Sequence, residues 1–278
     1  MSMLNRRRIA VALAALPFAK LFAPGLAQAD PEFEIKPDFG VRFSEVGTQG
    51  VFAVLRVRDN RLTVSDEGRA RLAYVPASTF KVPHALIALE TGMVADADKE
   101  LIRWDGQVRS IEAWNKDHTL RSAMAVSAVP VFQQIARRIG TERMKKYLDA
   151  FQYGNREVGP EIDRFWLDGP LKISALEQIE FFEKLRRGDL PLSQRTLDIG
   201  RDIIPSEAVS GGVLRYKTGA VGIDGTQGEK AALGWIAGYV DRGDDGAVFA
   251  LNLDIHGQPD LARRLPIAKA LLAEVGAI

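Results

Sequence analysis

Ser78-Thr79-Phe80-Lys81 stands just after Pro76-Ala77 and just before the apolar run Val82-Pro83-His84-Ala85-Leu86-Ile87-Ala88-Leu89. The run predicts a helix that stops near Gly92, a residue suited to a left-handed position past a helix end. On that helix Ser78 and Lys81 lie one turn apart on the same face. A hydroxyl nucleophile then has an amine base within reach and needs no histidine. The free N–H groups of the first turn point toward negative charge forming near Ser78. This arrangement suits acyl transfer through a serine ester. Pro83 removes one N–H early in the helix and predicts a distorted first turn. A Ser-x-x-Lys tetrad also arises by chance about once in every few hundred residues, so its surroundings have to carry the reading.

On the N-terminal side, residues 51–57 alternate as a strand, Asp59-Asn60 marks a turn, and 62–64 return as a second strand. On the C-terminal side, about 98–205 read as helices with short loops. Residues 123–139 carry Val126, Val129, Phe132, Ile135 and Ile139 at helical spacing and predict one helix. Residues 142–151 and 174–185 predict two more, the latter opened by a Ser174/Glu177 capping box. Strands return at 214–217, 232–240 and 247–255, the last two joined as a hairpin by Gly243-Asp244-Asp245-Gly246. A final helix is expected over about 261–275 with Asp260 as N-cap. The fold class expected is α+β: one antiparallel sheet built from both termini, flanked by terminal helices, with a helical lobe inserted at about 98–205. A site is expected in the cleft between them.

The chain has 278 residues with 46% hydrophobic and 26% charged, an ordinary globular composition long enough for one large domain or two intimate lobes. Its N-terminus reads as a secretory signal over 1–29. Asn5-Arg6-Arg7-Arg8 is basic, 9–19 are apolar, and Ala27-Gln28-Ala29 fits a small-x-small cleavage site. The apolar run is too short to span a bilayer, so no stable membrane anchor is expected. The expected location is the periplasm or the medium. The consecutive arginines leave the general and twin-arginine export routes both open. The remaining domain is 30–278. Losing four basic residues and no acid takes the formal charge from +1 to about −3. No basic surface is implied, and nucleic acid is not an expected partner.

The absence of cysteine excludes thiol catalysis and cysteine metal sites. Three histidines, His84, His118 and His256, show no metal-ligand spacing and read as surface or packing residues, so no metal is expected. No Gly-x-Ser-x-Gly elbow supports a serine-histidine triad.

Three more clusters fall where a cleft needs them. Ser127-Ala128-Val129 lies on the predicted 123–139 helix and offers a second hydroxyl. Tyr153-Gly154-Asn155 suits a turn between helices and reads as structural. Lys217-Thr218-Gly219 ends a predicted strand, with a cation and a hydroxyl for a carboxylate and a glycine that allows close approach.

The ordered set Ser-x-x-Lys, Ser-x-Val, Tyr-Gly-Asn and Lys-Thr-Gly resembles the class D, oxacillinase-type, serine β-lactamases across essentially all of 30–278. Trp104-Asp105-Gly106, Phe165-Trp166-Leu167-Asp168-Gly169 and Gly234-Trp235-Ile236-Ala237-Gly238 extend the resemblance. Class A relatives carry Ser-Asp-Asn where this chain has Ser127-Ala128-Val129. Class C relatives use the tyrosine of a Tyr-x-Asn motif as a base, which Tyr153-Gly154-Asn155 fits superficially.

The resemblance implies hydrolysis of a β-lactam amide. Ser78 would be acylated, and Lys81 would carry a CO2-derived carbamate (N6-carboxylysine) as general base, so bicarbonate is needed and no metal or organic cofactor. Phe80, Val82, Val129, Trp166 and Leu167 would surround Lys81 with apolar groups, and the desolvation would favour the free amine. Trp166 would donate to the carbamate, while Val129 and Leu167 would limit water. Ser127 would pass a proton to the lactam nitrogen and Lys217 would orient it. Thr218 and Arg264 would bind the substrate carboxylate, with Arg263 adjacent as the competing assignment. The N–H groups of Ser78 and Ala220 would form the oxyanion hole.

The same motifs serve penicillin-binding transpeptidases and carboxypeptidases, and also β-lactam sensor domains that remain acylated. Substrate range depends on the segment 220–232, where Gly222, Gly225 and Gly228 imply flexibility. Monomer and homodimer both stay open.

Overall fold

Alternating and β-branched runs from both ends of the chain build one sheet. The computed structural model describes residues 30–222 and 232–278. The expected export signal at 1–29 and the loop residues 223–231, with Gly225 and Gly228, lie outside them. Contacts group Pro31–Ile278 as one compact unit.

Among the described residues the strands are β1 Glu32–Ile35, β2 Gly50–Arg56, β3 Arg61–Val64, β4 Ser206–Val209, β5 Gly212–Val221, β6 Ala232–Asp241 and β7 Ala247–Ile255. Their order is β1-β3-β2-β7-β6-β5-β4. The pair that joins the two ends of the chain is β2 with β7, antiparallel from Gly50 opposite Leu253 to Arg56 opposite Ala247. The β2–β3 and β6–β7 hairpins form as expected. One expectation is corrected: the sheet is not wholly antiparallel. β1 runs parallel to β3, Glu32 opposite Arg61. The intervening chain, including β2, supplies the long return that a parallel pair requires.

The helices are α1 Val41–Ser44, α2 Glu67–Arg71, α3 Lys81–Glu90, α4 Leu120–Ala125, α5 Val129–Ile139, α6 Thr141–Phe151, α7 Ala175–Arg187, α8 Gln194–Asp202 and α9 Gln258–Glu274. α7 opens with the expected box: Ser174 N donates to the Glu177 carboxylate at 2.7 Å, and Glu177 N donates to Ser174 Oγ at 3.2 Å.

Two helix expectations are corrected. Residues 123–139 form α4 and α5, not one helix. Ser127 stands between them with φ +55°, and Pro130, in the first turn of α5, restarts the helix. The N-cap of α9 is Gly257, not Asp260. Pro259 suits the first turn, and Asp260 lies within it, its carboxylate accepting from His256 N at 2.8 Å.

Period-two alternation divides the sheet's faces. Phe52, Val54, Ile236, Val240, Phe249, Leu251 and Leu253 meet Ile267, Ala268, Leu271 and Leu272 of α9 and Phe43 of α1 in one buried cluster. α7 packs on β2, β6 and β7. The alternate residues Val51, Ala53, Trp235, Ala237, Val248 and Ala250 are fully buried as well, so both faces of the central strands are covered. Each such buried aliphatic or aromatic side chain contributes roughly 1.5–3 kcal/mol. This rigid centre carries β5 and the turn before α3, where the candidate site lies.

Candidate active site

Ala77–Phe80 is a 3-10 turn that runs directly into α3 at Lys81. Side chains three apart eclipse in such a turn, so Ser78 stands over Lys81. Pro83 has no N–H to return to the Thr79 carbonyl, so the α pattern does not extend back through the tetrad. This is the distorted first turn that the sequence predicts. Ser78 Oγ and Lys81 Nζ are 2.6 Å apart. Ala77, just before the serine, has φ +49°, a strained value for a residue with a side chain.

Lys81 is fully buried. Burial, and then the neighbouring Lys217 charge, push its amine well below the usual 10.5. Phe132 of α5 lies under the amine, its ring centre 5.5 Å from Nζ. Trp166 is fully buried, and its Nε1 has no hydrogen-bond partner among the described residues. A buried indole N–H normally finds an acceptor. Phe80 joins this wall, 5.7 Å from the Trp166 ring.

The second wall is the joint between α4 and α5. Its left-handed backbone turns Ser127 out of the helical path. Lys217 Nζ donates to Ser127 Oγ at 3.1 Å and to the Thr218 carbonyl at 2.9 Å. Lys217 is 3% exposed, and burial, then Arg264, lower its amine to about 7. Val129 begins α5 and Leu167 follows Trp166; both are half-buried.

The third wall is β5. A Cβ on Gly219 would lie 3.0 Å from Pro76 O, 3.1 Å from Ser78 N and 3.2 Å from Thr79 N, tight against backbone, so glycine suits the close approach of the strand to the Ser78 turn. Lys217 shares that side by alternation, while Thr218 and Ala220 alternate to the other, opposite Ile236 and Gly234. Arg264 of α9 donates to the carbonyls of Gly219 at 2.5 Å and Leu261 at 2.8 Å. Burial lowers its guanidinium to about 10. Arg263 turns away, donating to Asp260 at 2.9 Å and to the Val46 carbonyl. The geometry therefore brings Arg264, and not Arg263, to β5.

Tyr153-Gly154-Asn155 builds rather than reacts. A Cβ on Gly154, at φ +52°, would lie 2.0 Å from Lys172 O. Asn155 Nδ2 donates to Pro170 O at 2.8 Å, and Lys172 N donates to Asn155 Oδ1 at 3.0 Å. These bonds clamp the loop that carries Trp166. Tyr153 packs on Phe80 at 5.6 Å, and burial pushes its phenol up, away from any role as a base at neutral pH.

Sequence reasoning missed Phe132, which reads only as core in its apolar stripe. It also missed Gln178 of α7, a fully buried polar residue whose Nε2 donates to Thr79 Oγ1 at 2.8 Å. The assembled site holds one hydroxyl beside a depressed amine, a second hydroxyl beside another, and a guanidinium. Its charge is positive, and it favours an anionic ligand that can acylate a serine.

Comparison with known proteins identifies the family. Residues 59–273 match the penicillin-binding protein transpeptidase domain. The chain is 43% identical over 236 residues to β-lactamase OXA-5 of Pseudomonas aeruginosa, covering 85% of this chain and 87% of that one. It is 38% identical over 250 residues to β-lactamase OXA-48 of Klebsiella pneumoniae, covering 90% and 92%. Among solved structures it superposes on FUS-1 (OXA-85), a class D β-lactamase from Fusobacterium nucleatum subsp. polymorphum, with TM-score 0.83 and 34% identity, covering 88% of this chain and 99% of that one. The chain belongs to the class D serine β-lactamases, within the penicillin-binding transpeptidase fold.

Proposed function

We propose that this serine β-lactamase opens penicillin-type β-lactams through an acyl-enzyme on Ser78, with Lys81 as the seat of the general base. The observation that carries the reading is the 2.6 Å separation of Ser78 Oγ from a fully buried Lys81 Nζ. Ser78 attacks the lactam carbonyl while its proton passes toward Lys81. The N–H groups of Ser78 and Ala220 receive the developing oxyanion. Ser127 delivers a proton to the departing nitrogen, and Lys217 orients that hydroxyl. Thr218 and Arg264 hold the substrate carboxylate. Val129 and Leu167 restrict water at Lys81.

The residues around Lys81 fit a CO2-derived carbamate. The amine sits well below its usual pKa, which leaves the neutral form that reacts with CO2. The unpartnered Trp166 N–H is a donor in a dry wall. When present, the carbamate supplies a base of carboxylate type for both acylation and deacylation. Trp166 holds it in place, and Phe132 and Phe80 keep the site apolar. The composition of 1–29 supports export to the periplasm or medium, and 30–278 form the catalytic domain.

Time-resolved mass spectrometry with benzylpenicillin tests the reading. A transient adduct on Ser78 followed by hydrolysed product is expected. A persistent adduct would instead assign the chain to the transpeptidase or sensor role of its fold, and an adduct on another serine would remove Ser78 from the mechanism.

A further inference from the structure

Lys81 is not the only buried polar side chain in this pocket. His84 follows it by three positions on α3, so both leave the same face of the helix. The His84 ring is fully buried, and neither Nδ1 nor Nε2 has a hydrogen-bond partner among the described residues. The other two histidines differ. His118 sets its nitrogens 2.9 Å from Ser122 Oγ and 2.8 Å from Ala113 O. His256 is exposed on the surface.

Aromatic rings enclose His84, with centres at 5.6 Å for Phe80, 5.3 Å for Phe132 and 5.2 Å for Trp166. Phe132 is also the ring under Lys81 Nζ. Three unpartnered polar atoms, two on His84 and one on Trp166, therefore share an apolar box with the Lys81 amine. Unpartnered buried donors are costly. If packing were the whole role, an aliphatic residue would fill the space without that cost. Burial, the larger cause, and the charge of a protonated Lys81 lower the imidazole to about 3; burial, which acts whatever Lys81 carries, favours the neutral ring, with one N–H and one lone pair.

We propose that His84 is a second N–H donor, beside Trp166 Nε1, for the carbamate that Lys81 acquires from CO2, and so a positioning residue for the general base. The inference rests on the carbamate reading given above. A carbamate spreads its charge over two oxygens, and in a dry box each needs a donor. Trp166 has a single N–H to offer. A neutral donor suits the task, because it stabilises the anion without adding a positive charge beside the amine.

Carbon-13 NMR in labelled bicarbonate reads the carbamate signal of the full chain directly, and its half-saturation gives the affinity. His84→Leu is expected to raise the half-saturating bicarbonate about tenfold. His84→Asn, which returns an amide donor near the position of Nδ1, recovers most of the loss. In the unsubstituted protein the nitrogen-15 resonances of the His84 ring shift as bicarbonate is added, a readout that does not depend on any variant folding. Unchanged half-saturation in a folded His84→Leu protein, or ring signals that ignore bicarbonate, overturns the role of His84 while the carbamate stands. Absence of any carbamate signal in the unsubstituted protein overturns the carbamate reading and this inference with it.

Discussion

Gln178 Nε2 donates to Thr79 Oγ1 at 2.8 Å, and Thr79 Oγ1 donates to Pro76 O at 2.7 Å. A residue of α7, anchored on the sheet, thereby holds the turn that carries Ser78. Trp235 of β6 adds a second tie, donating through Nε1 to Val75 O at 3.0 Å. The strained Ala77 backbone is kept in place from both sides, which is how local strain persists at reactive positions.

Gln178→Leu should therefore loosen the nucleophile turn without touching the substrate. Losing a buried hydrogen bond costs ~1–3 kcal/mol, measurable by urea unfolding. Misplacement of Ser78 should slow acylation by roughly 10- to 100-fold. Wild-type acylation in the destabilised variant would confine Gln178 to a stability role.

The buried lysines give stability a specific pH dependence. Lys217 titrates at about 7 in the folded chain and near 10.5 when unfolded. Between those values the unfolded chain binds more protons, so stability rises with pH. Lys81, also lowered, acts with the same sign. The phenol of Tyr239, raised to about 12, opposes this only above its ordinary value of 10.0. The urea midpoint should thus climb from about pH 7 to 9.5. Lys217→Met should flatten that climb and raise stability at pH 7 by on the order of a few kcal/mol. A variant profile parallel to wild type would mean that Lys217 is not desolvated. Activity should fall on the acid side as Lys81 protonates, and added bicarbonate should restore part of it.

The reactive tetrad was legible because an i, i+3 spacing survives the change from α to 3-10 geometry; the eclipsed turn brings Ser78 and Lys81 closer still. The β2–β3 and β6–β7 hairpins were legible from strand runs joined by turn residues, whereas the β2–β7 pair that joins the two ends of the chain was seen only in the structure. The break at Ser127 was not, because Val126, Val129, Phe132, Ile135 and Ile139 keep helical spacing across it, and only Pro130 hints at a restart. β1 escaped notice as four residues with two glutamates, charge suited to an edge strand but foreign to the usual strand pattern. Gln178 and His84 are polar residues set in apolar stripes. Neither the burial of Gln178 nor what His84 faces was read from the sequence, because both residue types are more often exposed than fully buried.

Arg263 and Arg264 are adjacent in sequence yet lie in different surroundings. Arg264 approaches β5 through the Gly219 carbonyl, and among the described residues it forms no salt bridge with a carboxylate. Arg263 is already paired with Asp260. Arg264→Ala should raise KM for penicillins by roughly 10-fold or more, the loss of a charge-assisted hydrogen bond. Arg263→Ala should leave kcat/KM near wild type. Steady-state kinetics on the two variants decides between them, and a reversed pattern would exchange their roles.

Ser127 combines the proposed proton relay with a backbone cost, and the two respond differently to substitution. Its φ of +55° is disfavoured for any residue with a Cβ by ~1–2 kcal/mol, and glycine escapes that penalty. Ser127→Ala keeps the strain and loses the hydroxyl that accepts from Lys217. Ser127→Gly loses the same hydroxyl and relieves the strain. The glycine variant should be more stable than the alanine variant by about 1 kcal/mol in urea unfolding. Both should lose acylation rate to a similar extent, roughly 10²- to 10⁴-fold, because neither can relay a proton. Stability would then separate the two variants while activity would not. A glycine variant that acylates at the wild-type rate would show that the sharp joint between α4 and α5, and not the hydroxyl it displays, is what the reaction requires.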